Sequence, residues 1–268
     1  MAFGVYVHVP YCIQRCSYCD FATYEQYSIM PPPQYFSLLW EEIVRKSSLF
    51  PQKKLDTLYF GGGTPSLVDP SLIAGTIKIL GDCGFPVGPD TEVTMEVNPA
   101  TLTPQKMEFY LDIGVNRFSV GAQTFKDSLL KMVKREHSSA DTIETLRLLQ
   151  KYEVNFSFDL LFALPEQTFD DLLYDLKMAI DFAPSHISPY CLTLNDTHPL
   201  NKGRPLDDVQ VEMFHLISET LTSAGYRRYE ISNFCLPQRE SRHNMLYWTD
   251  QEYWGVGLSA HSYRHNSA

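Results

Sequence analysis

The chain has 268 residues, enough for one large α/β domain with a sizeable buried core or for two ordinary domains. Its 22 Lys and Arg residues and 32 Asp and Glu residues give a net charge of −10, which argues against nucleic acid or an anionic membrane surface as the main partner. No apolar run has transmembrane length and "MAFGVYVHVP" lacks a signal-peptide pattern, so we expect a cytoplasmic protein.

Short β-type runs alternate with longer helical patterns through the first 194 residues. Two helix starts are recognisable, because Asp69-Pro70 and Thr103-Pro104 each place a capping residue before a proline. Strict alternation predicts a parallel sheet, and about six βα units favour an incomplete barrel or a strongly curved sheet over a closed eight-stranded one. The predicted strands cover 4–9, 55–60, 91–97, 116–121, 155–164 and 186–193, and the predicted helices lie near 34–48, 70–82, 104–113, 139–152 and 169–182.

After residue 194 this rhythm changes. A long helix near 207–224 is followed by the strand-like "RRYEIS" and by the aromatic, glycine-punctuated tail "YWTDQEYWGVGLSAHSY". Such a tail can close or cap the barrel, or lead into a further domain. We predict a barrel core over 1–195 and a C-terminal extension over 196–268.

Polar or metal-binding groups accompany the end of each predicted strand. In parallel βα folds reactive groups lie at the C-terminal strand ends, because the βα loops and helix N-termini converge there. We therefore expect these groups to belong to a functional site. In chain order they are Cys12, Cys16 and Cys19, the segment Gly61 to Pro65, Glu96, Gln123, Asp159 and Thr193.

Three of the six cysteines lie within the eight residues "CIQRCSYC", too close together to form sensible disulfides with one another. One interpretation is a zinc site, which needs four ligands and could use His8 as the fourth. The other is an iron–sulfur cluster held by three thiolates, which leaves one iron without a protein ligand. An open coordination position is typical of a metal centre that binds a further molecule during chemistry.

The spacing C-x3-C-x2-C with its aromatic flank resembles the signature of the radical S-adenosylmethionine (SAM) enzymes. That resemblance implies SAM chelated at the open iron and cleaved to a 5′-deoxyadenosyl radical. The run "YFGGGTPS" fits a loop that approaches the methionine end of SAM closely, and an ordinary tight βα turn is the alternative. For Glu96 and Asp159 the alternative is a structural, partnered carboxylate, with Arg135 and Gln123 as candidate partners of Asp159.

Seven sequence blocks, in order, resemble the oxygen-independent coproporphyrinogen III oxidase-like family over essentially the whole chain. They are "YVHVPYCIQRCSYCDF", "YFGGGTPSL", "MEVNP", "GVNRFSVGAQTF", "FDLLFALPEQT", "HNMLYW" and "GVGLSAHSY". The resemblance implies a three-quarter (βα)6 barrel and a [4Fe–4S] cluster on Cys12, Cys16 and Cys19. It makes Glu96 and Asp159 hydrogen-bond acceptors for SAM and Arg135 a charged anchor. The implied SAM contacts are Tyr6, Tyr18, Gly62, Gly63, Thr64, Glu96, Gln123, Arg135, Asp159 and Thr193.

Two branches of this family differ in function. The coproporphyrinogen III dehydrogenases, which oxidatively decarboxylate two propionate groups, extend the motif to C-x3-C-x2-C-x-C and carry a long segment before it. Here the fourth position is Phe21, and eleven residues precede Cys12. The resemblance is therefore to the haem-chaperone branch, which binds haem and passes it to acceptor haemoproteins such as respiratory-chain components, with transient contact with membrane-bound acceptors as one option. The dehydrogenase is the alternative.

The motif H-N-x-x-Y-W belongs to the chaperone branch and is matched by His243, Asn244, Tyr247 and Trp248. An imidazole can ligate haem iron and neighbouring aromatic rings can stack on the macrocycle, so His243 is the candidate haem ligand. A polar loop histidine beside core aromatics is the alternative, and His261 in "SAHS" is a second candidate. Family members usually continue into a small helical C-terminal domain, so the resemblance implies a truncated chain.

Overall fold

The computed structural model describes residues 2–50 and 54–265. Single 3₁₀ turns lie at Ser47–Leu49, Pro65–Leu67, Pro99–Thr101 and Pro199–Asn201. The helices and strands, in chain order, are β1 (Phe3–Val9), β2 (Tyr11–Cys12), β3 (Tyr24–Glu25), α1 (Pro32–Lys46), β4 (Thr57–Gly62), α2 (Pro70–Asp82), β5 (Glu92–Val97), α3 (Pro104–Asp112), β6 (Arg117–Gln123), α4 (Asp127–Met132), α5 (Ser139–Lys151), β7 (Asn155–Phe162), α6 (Phe169–Asp181), β8 (His186–Cys191), α7 (Asp207–Ser223), β9 (Arg227–Arg228), β10 (Phe234–Cys235), α8 (Arg242–Trp248) and β11 (Glu252–Val256).

The main sheet is parallel except at one edge. Its order is β11-β1-β4-β5-β6-β7-β8-β10-β9, and only β10 and β9 run antiparallel to their neighbours. Each of the six strands β1, β4, β5, β6, β7 and β8 is followed by helical structure. Within the described residues the edge strands β11 and β9 do not pair with each other, so the sheet is open. The prediction of an incomplete, six-unit barrel is confirmed.

The core lies between the sheet and the outer helices. Alternate residues of β1, such as Val5 and Val7, are fully buried and belong to one apolar cluster with Phe36 and Ile43 of α1. Helix α1 begins at Pro32, whose fixed φ suits a first turn. The opposite side chains of the sheet, such as Tyr6, face the interior of the open barrel and line its cavity.

The predicted elements match the observed ones closely in the barrel. Both predicted helix caps are present: Asp69 Oδ1 accepts the Ser71 amide and Thr103 Oγ1 accepts the Lys106 amide. The second strand is shifted to Thr57–Gly62, so the first two glycines end the strand instead of following it. The sequence did not predict α4, α8 or β11, and only Arg227–Arg228 of "RRYEIS" forms strand.

Residues after 195 extend the same sheet at both edges. β10 and β9 lie beyond β8, while β11 pairs in parallel with β1 through Phe3 and Glu252. The division into 1–195 and 196–268 stays a prediction, and residues 1, 51–53 and 266–268 of those ranges lie outside the described residues. In the part of the chain that the structure describes, none of the helices combines the length and apolar character that crossing a bilayer requires.

Candidate functional site

A cavity of about 630 Å³ occupies the interior of the open barrel. Its size is that of a ligand pocket. His261 is exposed and is not among the residues that line this cavity. All fourteen residues predicted to bind the cluster, SAM or haem line it: Tyr6, Cys12, Cys16, Tyr18, Cys19, Gly62, Gly63, Thr64, Glu96, Gln123, Arg135, Asp159, Thr193 and His243.

The cysteine loop is fixed at both ends by backbone hydrogen bonds. β2 and β3 pair in parallel and join Cys12 to Glu25, which brackets the loop. Within it the Cys19 amide donates to the Cys16 carbonyl at 3.2 Å, and the Ser17 amide donates to Val133 at 3.1 Å. Three thiols are thus held on one short, ordered segment at the cavity.

The zinc interpretation does not fit these contacts. His8, its fourth ligand, has both ring nitrogens engaged, Nδ1 with the Tyr6 hydroxyl at 3.1 Å and Nε2 with the Ala22 carbonyl at 3.0 Å. In the described residues no three His, Cys, Asp or Glu side chains are grouped around a single-ion position. Thiolates that each bind a different corner of a cluster do not need such a grouping, so the donor set suits a cluster better.

Arg135 follows α4 and its guanidinium is enclosed beside the cysteines. Nη1 donates to Cys16 Sγ at 3.4 Å and Nη2 donates to the Gly121 carbonyl. Burial lowers the pKa of Arg135, but Tyr18 and Cys16 outweigh that effect and raise the pKa above its ordinary value. The buried Nε has no hydrogen-bond partner among the described residues, so one donor remains for an acceptor group of a ligand.

The glycine segment packs tightly against the end of β1. The Gly63 amide donates to the Val9 carbonyl at 2.8 Å and the Thr64 amide donates to the Tyr11 carbonyl at 2.7 Å. A Cβ on Gly63 would lie 2.6 Å from the Tyr11 carbonyl oxygen, and Gly62 has φ +112°. The packing of the chain therefore requires glycine here. Because these residues have no side chain, their backbone is open to the cavity and forms a cradle made of Gly62 and Gly63.

The carboxyl groups of Glu96 and Asp159 are buried within the protein and line the cavity. Tyr59 Oη and the Gly62 amide donate to the two oxygens of Glu96 at 2.8 and 3.0 Å. Burial, with Asp159 adding to it, raises the pKa of Glu96 to about 7. Burial raises the pKa of Asp159 to about 6. Glu96 therefore titrates near neutral pH, where it can accept hydrogen bonds in its ionised form.

Neither candidate partner of Asp159 forms a hydrogen bond with it among the described residues. Its hydrogen bonds come from Ser119, with Oγ at 3.4 Å, and from Ser188. Arg135 affects Asp159 through its charge, and no hydrogen bond joins Gln123 to Asp159 in the part of the chain that the structure describes. The sequence could not show this, because each serine lies on a strand next to β7 and only the sheet register places it there.

Gln123 and Thr193 reach the cavity from irregular backbone. Gln123 has φ +73°, and the register of β6 against β7 shifts between Val120 and Gln123. A non-glycine residue in this region is strained, and such strain concentrates at functional sites. Thr193 lies two residues beyond β8 and donates its hydroxyl to the Cys191 carbonyl at 3.2 Å.

His243 lies in the cavity wall on α8, with both ring nitrogens engaged. Nδ1 contacts Thr57 Oγ1 at 2.7 Å and Nε2 contacts Tyr247 Oη at 2.9 Å. Burial, with Arg117 adding to it, lowers the pKa of His243 to about 3, so the ring is neutral at pH 7. These contacts favour a structural role. Haem ligation through Nε2 stays a prediction and requires the Tyr247 hydroxyl to move away.

Several cavity residues were not predicted from the sequence. Arg117 and Ser119 lie on β6 at alternate positions before Gly121 and Gln123. His186 and Ser188 likewise lie at alternate positions of β8. The signal was present as a period of two along each strand. Counting back from Gln123 by twos would have found Ser119 and Arg117.

Residues 6–179 match the protein family described as the Radical SAM superfamily. The chain is also 34% identical to the heme chaperone HemW of Buchnera aphidicola (Schizaphis graminum) and 32% identical to HemW of Escherichia coli K12; each match covers 96% of this chain and 69% of the relative. The chain belongs to the HemW family of radical SAM proteins. Membership in the radical SAM superfamily implies SAM and a [4Fe–4S] cluster.

The HemW-family chain also resembles a solved structure, the coproporphyrinogen III oxidase HemN from Escherichia coli, described as a radical SAM enzyme. The TM-score is 0.84 at 23% sequence identity, and the match covers 97% of this chain and 64% of that one. At this identity the likeness establishes a common fold. This chain thus spans about two thirds of the length of both kinds of relative.

Proposed function

We propose that this chain is the radical SAM core of a haem chaperone, which holds a [4Fe–4S] cluster on Cys12, Cys16 and Cys19, binds SAM beside it and delivers haem to acceptor haemoproteins. The relatives carry the name heme chaperone. The observation that carries the proposal is the convergence on one cavity of the residues predicted to bind these groups, with Phe21 at its mouth.

The chain's own residues divide the work of holding the cofactors. Gly62, Gly63 and Thr64 offer bare backbone to the methionine end of SAM, and Glu96 offers a carboxylate that can accept a hydrogen bond from its amino group. Arg135 places positive charge next to Cys16 and keeps Nε for a ligand acceptor. When bound, the cluster and SAM supply one-electron chemistry, and the protein positions them.

Haem would enter the same cavity between its aromatic walls. Tyr59 and His243 have ring centroids 5.1 Å apart, and His243 and Tyr247 form an edge-to-face pair at 5.4 Å. Such faces can stack on a porphyrin ring. His243 is the proposed iron ligand once Tyr247 releases its Nε2.

The second candidate function is coproporphyrinogen III dehydrogenation, which the complete set of cavity residues favours. Position 21 argues against it. Phe21 is 70% exposed at the mouth of the cavity, where the dehydrogenase motif places a fourth thiol, and a phenyl ring can neither ligate metal nor transfer a hydrogen atom.

One paired anaerobic experiment separates these functions. The protein is reconstituted with iron and sulfide, analysed for both, titrated with haem, and incubated with apomyoglobin as an acceptor. We expect iron and sulfide in similar amounts, a Soret shift, and haem transfer, and no protoporphyrinogen from coproporphyrinogen III with SAM and reductant. Cys16→Ser should lose the cluster, while Cys83→Ser, outside the cavity, should keep it.

Turnover of coproporphyrinogen above the Cys16→Ser level would establish the dehydrogenase. Metal analysis that finds zinc without iron or sulfide would overturn the proposal of an iron–sulfur cluster. Absence of a Soret shift with a cluster-loaded full-length protein would overturn the chaperone.

A further inference from the structure

Arg117 begins β6 and projects into the cavity from the end of the strand opposite Gln123. Six steps of about 3.3 Å along β6 separate the two positions by roughly 20 Å. Arg117 is only 2% exposed, and its Nε is buried without a hydrogen-bond partner. Within the described residues its guanidinium makes no ion pair. A guanidinium held in this way destabilises the fold unless an anion pairs with it.

Three polar side chains near Arg117 already pair with one another. His186 Nε2 contacts the Tyr229 hydroxyl at 2.8 Å, and Asn244 Nδ2 donates to the same hydroxyl at 3.2 Å. Burial, with Arg117 adding to it, lowers the pKa of His186 well below its ordinary value, so that imidazole is neutral. Arg117 is thus the cation of a polar pocket in which His186 and Asn244 already share the Tyr229 hydroxyl.

Asp159 does not serve as the missing partner. It accepts hydrogen bonds from Ser119 and Ser188, and Arg117 reaches it only through longer-range charge. Burial keeps the pKa of Asp159 raised to about 6 in spite of that charge. A tightly paired carboxylate would instead have a lowered pKa.

We propose that Arg117 is a binding site for a carboxylate group of the ligand that occupies the cavity. The site lies at the end of the cavity where β6 begins. A guanidinium presents a planar fork that matches the two oxygens of a carboxylate. A single negative charge suits one arginine with Asp159 and Glu96 in the same cavity, whereas a phosphate dianion would meet repulsion from both. This inference rests on the proposed function, in which haem supplies the carboxylates as its propionate groups.

The test compares haem with haem dimethyl ester, whose propionates are uncharged, on cluster-loaded wild type, Arg117→Gln and Arg117→Met. Removing one partner of a buried charge pair should weaken haem binding about 30-fold or more. The ester should bind all three proteins alike. Arg45→Gln, which removes the same charge from an exposed surface pair with Glu41, should bind haem like wild type.

Thermal unfolding without haem separates ligand binding from a structural role. Because Arg117→Met removes an unpaired buried charge, it should melt at the same temperature as wild type or higher. A lower melting temperature together with equal losses for haem and ester would show a structural arginine and overturn the inference. Equal haem binding by wild type and Arg117→Gln would overturn it while leaving the chaperone intact.

If wild type does not bind haem, the chaperone proposal fails, and coproporphyrin III becomes the probe. If coproporphyrin III binds wild type but not Arg117→Gln, the carboxylate site is upheld. Equal binding of both porphyrins by wild type and Arg117→Gln would overturn the carboxylate site.

Discussion

The guanidinium of Arg135 donates to the thiol of Cys16 across 3.4 Å, although 119 residues separate the two in the chain. The contact ties the loop after α4 to the cysteine loop. It places a positive charge where a cluster with three thiolates would concentrate negative charge.

Arg135→Met should therefore impair the binding of both the cluster and SAM. The variant keeps an apolar stem but removes the donors to Cys16 and Gly121 and the free Nε. We expect about tenfold or greater weakening of SAM binding, since a charged hydrogen bond contributes about 1.5–3 kcal/mol. Anaerobic equilibrium binding on cluster-loaded protein measures this. Arg45→Gln serves as the charge-matched control, and wild-type affinity in Arg135→Met would contradict the role.

The barrel could be predicted from the sequence because its signals are local. Proline starts, capping residues and apolar runs mark α2, α3 and the six strands within a few residues of their observed positions. The C-terminal end was predicted poorly. β11 is a five-residue strand that gains its place from β1, which lies some 249 positions earlier, and no local pattern encodes that pairing.

The candidate site was predictable for a related reason. Strand ends converge in a parallel barrel, so Glu96, Gln123 and Asp159 could be grouped from their order alone. Partners on neighbouring strands could not. The serines beside Asp159, and the Thr57 and Tyr247 contacts of His243, depend on register and on the position of α8.

Gly63→Ala should distort the cavity because its Cβ would meet backbone. The nearest atoms are the Tyr11 and Val9 carbonyl oxygens at 2.6 and 2.9 Å, which cannot move without shifting the end of β1. We expect a loss of about 1–3 kcal/mol in unfolding free energy and weaker SAM binding. Gly81→Ala in α2, where the nearest atom is 3.8 Å away, is the matched control and should be neutral or stabilising by up to about 1 kcal/mol. Equal behaviour of the two variants would refute the cradle.

Glu96 should make the protein less stable as pH rises. Its folded pKa of about 7 exceeds the ordinary 4.5, so the folded state binds more protons than the unfolded state between these values. The contribution of Glu96 to stability is largest below about pH 4.5, falls through this window, and stays reduced above pH 7, by about 1–3 kcal/mol.

Glu96→Gln should make the fall shallower by the Glu96 contribution, because its amide can still accept the Gly62 N–H and can donate to Tyr59, while Asp159 with its raised pKa still contributes. Urea unfolding from pH 5 to pH 8.5 on wild type and variant checks the slope. Glu41→Gln, at an exposed surface pair, should retain the wild-type profile. A steeper or unchanged slope in Glu96→Gln would show that the carboxyl is not held neutral by burial.

Tyr247→Phe tests whether His243 ligates haem. The Tyr247 hydroxyl occupies Nε2 at 2.9 Å, and a ligand must first break that hydrogen bond. The bond contributes about 0.5–1.5 kcal/mol, so its removal should tighten haem binding roughly two- to tenfold if iron takes Nε2, while the phenyl ring preserves stacking. His243→Ala should then abolish the Soret shift in either background. If His243→Ala only lowers the melting temperature, by leaving Thr57 Oγ1 unpaired, and haem binding is unchanged in both variants, His243 is a structural residue of the cavity wall.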